Sequence, residues 1–202
     1  WGRICRIIGK DFLPILPNVL PPLLVSAKAA QDVSLLDEEE AEEFQQNEEW
    51  DVINLSGKLI AVHTAALDDK VRAMDILRTY AIQLRGDFNP WVNEIVQDIA
   101  IPALDFYLHD GVRASAALTL AALLRCSVEA SGQNSQETLA LWLQILSRII
   151  DVLTSEPVPE LLVAYYTAIV ECVNAVGGAA LLQEQLKNLL LAANENLKMI
   201  YT

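Results

Sequence analysis

The sequence predicts an all-α fold, a superhelix of stacked antiparallel helix pairs. Three observations predict it: apolar residues recur at helical spacing along nearly the whole chain, clear period-two alternation is almost absent, and two motifs recur in the same order. With 202 residues and 53% hydrophobic side chains, the chain can bury a substantial core.

The periodicity predicts helices over 1–9, 12–28, 66–85, 88–108, 111–128, 135–154, 158–176 and 181–200. Gly9 and Gly86 fall where a helix would end in a left-handed residue, Asp11 and Asp87 where the next would be capped, and Gly177 with Gly178 makes a further stop.

The first motif, Gly9-Lys-Asp-Phe-Leu-Pro14, recurs as Arg85-Gly-Asp-Phe-Asn-Pro90. Phe12 and Phe88 open outer helices with a large apolar anchor, and Pro14 and Pro90 follow in the first turn, where a missing N–H is harmless. Pro21, Pro22 and Pro102 lie deeper and should kink their helices.

The second motif, Asp69-Lys-Val-Arg-Ala73, recurs as Asp110-Gly-Val-Arg-Ala114. Asp69 and Asp110 sit near the positive start of an inner helix, and Val71 and Val112 face the core. Arg72 and Arg113 then reach acids on a neighbouring unit, giving an Asp/Arg ladder. A third unit, with Leu139, Trp142, Leu143, Leu146 and Ile149 facing Leu161, Leu162, Tyr165, Ile169 and Val173, carries weaker motif residues.

From Asp87 to Asp110 is 23 residues, and from Asp11 to Asp69 is 58, so the first unit holds a long insert between its two helices. Lengthening a loop costs little, about 0.6 kcal/mol per doubling, so the unit can keep its fold around it. Between Lys28 and Lys58 there are ten carboxylates and no Lys or Arg, against a net charge of −13 for the whole chain. Self-repulsion predicts that the insert is extended and that residues 31–58 gain order only with a partner.

These features narrow the function. Direct nucleic-acid binding is disfavoured without clustered Lys and Arg, and a basic protein partner is favoured. Prolines and charges interrupt every apolar run, so membrane insertion is not expected, and no signal-peptide pattern opens the chain. Cys5, Cys126 and Cys172 are far apart and suit reduced, buried thiols. His63 and His109 are the two histidines, with no metal-pair spacing, phosphate loop or nucleophile elbow nearby. The expectation is a non-enzyme with no catalytic residue, metal or cofactor.

Val-Arg-Ala after an Asp at an inner-helix start resembles the HEAT-repeat signature, which implies a right-handed α-solenoid. The strings from Gly9 to Leu24 and from Pro102 to Arg113, with the insert ending Glu48-Glu-Trp-Asp51, resemble the middle of importin-beta (karyopherin-beta) proteins. The branch they resemble most is the fungal karyopherin-beta-three or importin-five-like one. The resemblance divides the chain into the end of a truncated repeat at 1–10, a repeat over 11–86 with its insert at about 29–62, repeats over 87–130 and 134–177, and the first helix of another at 181–202. The chain opens at Trp1 and ends inside an apolar helical stretch, which suggests a piece of a longer solenoid.

What the resemblance implies is a nuclear import receptor that binds basic localisation signals, releases cargo on binding GTP-bound Ran and contacts Phe-Gly nucleoporins while shuttling between cytoplasm and nucleus. A HEAT scaffold for another complex, without Ran control, is the alternative. The candidate partner-binding residues are Asp37, Glu38, Glu39, Glu40, Glu42, Glu43, Glu48, Glu49, Trp50 and Asp51 in the insert, with a solvated spacer that deters aggregation as the alternative role for its acids. Phe44 and Trp50 either anchor the insert or meet a partner. Asp68, Asp69, Arg72, Asp75, Asp110 and Arg113 are candidate concave-face cargo contacts or ladder residues.

Overall fold

The computed structural model describes residues 1–28, 33–36, 40, 50–55 and 58–201. Its helices are α1 (Gly2–Ile8), α2 (Leu16–Lys28), α3 (Thr64–Leu84), α4 (Asn89–Ile95), α5 (Ile101–Leu104), α6 (Asp110–Ser131), α7 (Gln136–Leu153), α8 (Pro159–Val176) and α9 (Gln183–Tyr201). α3, α6 and α8 pack side by side as one layer, and α2, α4–α5 and α7 cover it as a second. This is the expected all-α stack of helix pairs.

The repeated phenylalanines explain themselves in the core. Phe12 and Phe88 are fully buried and both meet Tyr80 of α3, with ring centroids 5.2 and 6.4 Å away, and Trp91 continues the chain at 5.5 Å from Phe88. Tilted and edge-on aromatic pairs of this kind add roughly 0.5–1.5 kcal/mol each beyond their buried area. One motif thus fastens two successive outer elements to the same inner helix.

Several local expectations need correction. Phe12 lies in a 3₁₀ turn, Gly9–Phe12, and α2 starts only at Leu16, so Pro14 precedes the helix instead of opening it. Pro90 does occupy the first turn of α4. The helix expected over 88–108 is interrupted by a π-helical segment, Val96–Ala100, and ends at Leu104. Pro102 supplies the reason: it has no N–H to donate and its ring crowds the carbonyl one turn back, which a wider π turn relieves. The capping expected of Asp11 and Asp87 is absent from the turns they sit in, and Asp87 instead pairs with Lys10 at 2.6 Å.

The insert departs further from expectation. Its described residues form three strands, β1 (Val33–Leu36), β2 (Trp50–Leu55) and β3 (Lys58–His63), in an antiparallel sheet of order β1-β3-β2. Leu55 pairs with Lys58, so two residues separate β2 from β3, the spacing of a tight hairpin. Ala61 and Val62 are consecutive and both buried, so the central strand is covered on both faces. A doubly covered strand reads as a continuous apolar run and lacks the alternation that would have revealed it.

α6 is the most enclosed helix. It is long and apolar enough to cross a bilayer, but 72% of its apolar window is buried inside the protein, as a core helix requires. Ala116, Ala117, Ala121 and Ala122 let its neighbours approach closely, and Cys126 Sγ donates to the Ala81 carbonyl at 3.2 Å. Burial pushes the thiols of Cys126 and Cys172 up to about 12, and all three cysteines are unbridged and buried.

The helix stops hold one reversal. Gly9 ends α1 at φ 56°, ψ −127°, and its motif partner Arg85 ends α3 at φ 56°, ψ −131°, a conformation natural to glycine and strained for arginine. Gly86, expected to take that role, does not have positive φ; a Cβ there would lie 3.2 Å from the backbone of Glu129 and Ala130 in α6. Arg85→Gly should therefore raise stability by about 1 kcal/mol, or ~2–4 °C in melting temperature. Gly86→Ala should lower it, and thermal unfolding of the two variants reads both signs.

Candidate partner-binding surface

Both histidines cap inner helices. His63 Nδ1 accepts from the Ala66 amide at 3.1 Å at the start of α3, and His109 Nδ1 accepts from the Val112 amide at 3.2 Å at the start of α6. The motif aligns Asp69 with Asp110, yet α3 begins five residues before Asp69 while α6 begins at Asp110 itself. The helix-start position expected of Asp69 is therefore wrong: it lies in the second turn, and only Asp110 occupies a first turn. Val112 is fully buried and Val71 half-buried, in line with that offset.

Three acids gather at this end of the inner layer. The side chains of Asp68, Asp69 and Asp110 are 59%, 64% and 57% exposed, and Asp68 comes within 4.0 Å of His109 Nε2 on the next helix. Asp75, further along α3, is exposed as a residue and accepts from Ser115 Oγ of α6 at 2.9 Å. The helix ends thus present carboxylates, while Asp75 ties α3 to α6 and Asp68 approaches the residue that caps α6.

Arg113 is the hub beneath them. It is 5% exposed, donates to Asp110 at 2.7 Å and to buried Glu156 at 2.5 Å, and lies 5.4 Å from the Tyr107 ring centroid. Burial opposes its charge, but Asp110, Tyr165 and Glu156 outweigh burial and leave its pKa raised. Glu156 also accepts from the Val158 amide at 3.0 Å, so one carboxylate joins α6 to the entry of α8. Burial likewise pushes the Tyr165 phenol up to about 12.

Arg72 does not share this role. Its side chain is 70% exposed and pairs at 2.9 Å with Asp69 of its own helix, so the expected inner Asp/Arg ladder is made by Arg113 alone. Sequence reasoning missed Glu156, Ser115 and both histidine caps. A further set of links runs along the outer layer: Lys28 to Glu94 and Asp98 at 2.8 and 2.9 Å, a reciprocal Gln97–Gln144 amide pair, and Arg148 to Asp105 at 2.5 Å. The Lys28 ammonium donates to the carboxylates of both Glu94 and Asp98, which raises its pKa.

Of the insert acids, Glu40 is exposed, and Asp51 lies in β2 opposite Val62. Asp37, Glu38, Glu39, Glu42, Glu43, Glu48 and Glu49, with Phe44, lie outside the described residues. The expected lack of order over 31–58 is corrected where strands occur, at 33–36, 50–55 and from 58 onward. Trp50 sets its ring edge-on to His63, with centroids 4.8 Å apart, which fastens the sheet to the residue that caps α3.

Comparison with known proteins agrees with this architecture. A family model described as Importin repeat 6 matches residues 161–202. The chain is 48% identical over 201 residues to importin subunit beta-3 of Saccharomyces cerevisiae, a match covering all of this chain and 18% of that protein. Crystal structures of Kap121p bound to the extreme C-terminus of the phosphatase Cdc14p and to Ste12p superpose with TM-scores of 0.93 and 0.92 at 47% identity, covering all of this chain and 20% and 19% of those chains. The chain belongs to the importin-beta (karyopherin-beta) family, in the karyopherin-beta-three branch, and its fold is a HEAT-repeat α-solenoid. It spans about a fifth of the length of the relatives it matches.

The buried pair makes a sharp test. The side chains of Arg113 and Glu156 are 6% and 2% exposed, and removing one partner strands a buried charge at a cost of about 3–5 kcal/mol. Arg113→Met or Glu156→Leu alone should lower the urea midpoint strongly. The double variant should recover most of the loss, because Arg113 Nε is buried without a hydrogen-bond partner and the ion pair is not optimally satisfied.

Proposed function

We propose that this chain is the cargo-handling middle of a nuclear import receptor, recognising proteins with Lys/Arg-rich localisation signals under the control of GTP-bound Ran. The observation that carries the reading is the likeness, over the whole chain, to a karyopherin whose structures hold bound protein partners. The acid distribution fits it: ten carboxylates without a cation between Lys28 and Lys58, and exposed Asp68, Asp69 and Asp110 at neighbouring helix ends. A field of one sign attracts a basic segment and raises its association rate in a salt-dependent way.

In this reading the repeats divide at 1–10, 11–86, 87–130, 134–177 and 181–202, with the insert at about 29–62 belonging to the second. The chain holds no catalytic role and no cofactor. The receptor shuttles between cytoplasm and nucleus and meets Phe-Gly nucleoporins on the way. A scaffold subunit of another complex remains the second reading, since inter-helix links such as Arg113–Glu156 serve any HEAT stack equally well.

The test is binding of a Lys-rich localisation peptide to the parent-length receptor across a salt series, with and without GTP-loaded Ran. Salt-sensitive binding displaced by Ran is expected, weakened at least tenfold when Asp37, Glu38, Glu39, Glu40, Glu42 and Glu43 are replaced by Ser and Gln. Peptide binding indifferent to Ran would favour the scaffold.

A further inference from the structure

The starts of the three inner helices share one arrangement. Each start is held by a side chain, and each of those side chains is touched by the element before it. At α3 the holding group is His63, whose Nδ1 accepts from the Ala66 amide, and Trp50 of β2 lies edge-on to its ring. At α6 it is His109, whose Nδ1 accepts from the Val112 amide, and Asp68 of α3 comes within 4.0 Å of its Nε2. At α8 it is Glu156, which accepts from the amide of Val158, the residue before the helix, while Arg113 of α6 donates to it.

The chemistry of these groups lets a disturbance pass along them. A ring nitrogen that accepts from an amide is unprotonated, so Nε2 of His109 carries the proton and faces the Asp68 carboxylate. The imidazole is rigid, so a displacement of Asp68 pulls on the same ring that caps α6. Gly111 leaves that ring its room: a Cβ in its place would lie 2.9 Å from His109 Cε1 and 3.6 Å from Val71 of α3. The planar guanidinium of Arg113 acts in the same way, binding Asp110 in the first turn of α6 and Glu156 at the entry of α8. Helix ends open at lower free energy than buried helix middles, so these contacts act on the parts of the stack that move most readily.

We propose that these contacts form a relay, running from Trp50 through His63, Asp68, His109 and Arg113 to Glu156, that couples the insert's sheet to the acidic rim. Loosening the sheet at Trp50 opens the starts of α3, α6 and α8 in turn. By linkage, a ligand that holds Asp68 or Asp110 orders the sheet in return. The coupling is a property of the chain itself and does not depend on which partner meets the rim.

Native-state hydrogen exchange of the full chain reads the relay at the amides of Ala66, Val112 and Val158, with Leu77, Leu120 and Ile169 as mid-helix controls. Trp50→Leu keeps apolar bulk but removes the ring edge. It should speed exchange about fivefold at Ala66 and about twofold at Val112 and Val158, with the controls unchanged. Asp68→Asn, at an exposed side chain, should speed Val112 and Val158 about threefold and leave Ala66 at its wild-type rate. In the Asp68→Asn background, Trp50→Leu should move Ala66 alone. Three results overturn the relay: acceleration confined to Ala66 in the single Trp50 variant, equal acceleration of the controls, or an undiminished response of Val112 in the double variant. If Trp50→Leu does not fold, Asp68→Asn decides, and an unchanged rate at Val112 overturns the relay.

Discussion

The structure depends on the burial of α6 between α3 and α8. Thirteen residues of this 22-residue helix are buried, including Thr119, Ser127 and Arg113. A helix apolar nearly all round cannot stand at a surface, so it needs a neighbour on each side and a covering layer. Its alanines set how closely those neighbours come, and the aromatic chain from Phe12 through Tyr80 to Trp91 locks the outer elements to α3. Each helix pair is stable because the next pair is present, the defining property of a solenoid.

Burial at that density leaves the exposed acidic side chains to the rim. At the helix starts, Asp68, Asp69 and Asp110 keep more than half of their side-chain surface exposed, while Arg113 below anchors Asp110 and couples it to Glu156 on the far side of α6. Of the three, Asp110 is held in place by the buried guanidinium, whereas Asp69 pairs with exposed Arg72 and Asp68 lies near His109. The insert adds a second acidic segment in the sequence ahead of α3, and His63 sits at the junction by capping α3 and meeting Trp50.

Much of this was legible in the residues. Helical period and the two repeated motifs identified the stack, and the phenylalanines identified its anchors, because a motif that recurs at fixed order reports a recurring packing problem. What stayed hidden was long-range or ambiguous. Glu156 gives no local sign of the partner 43 residues earlier, and the aligned Arg72 and Arg113 diverge because α3 begins five residues before the motif and α6 begins at it. β3 escaped notice because a strand covered on both faces does not alternate, although the run Leu59-Ile-Ala-Val62 beside Ser56-Gly57 was a readable hairpin signal. Arg85 took the strained position because the motif's glycine had shifted by one residue, to where α6 leaves no room for a side chain.

The central claim is that the inner layer is one mutually supporting stack. Native-state hydrogen exchange on the wild-type chain and on Leu120→Ala, which opens a cavity in α6 at a cost of about 2–5 kcal/mol, tests it most directly. The account predicts that protection falls together in α3, α6 and α8. Loss confined to α6, with α3 and α8 exchanging as in the wild type, would contradict it.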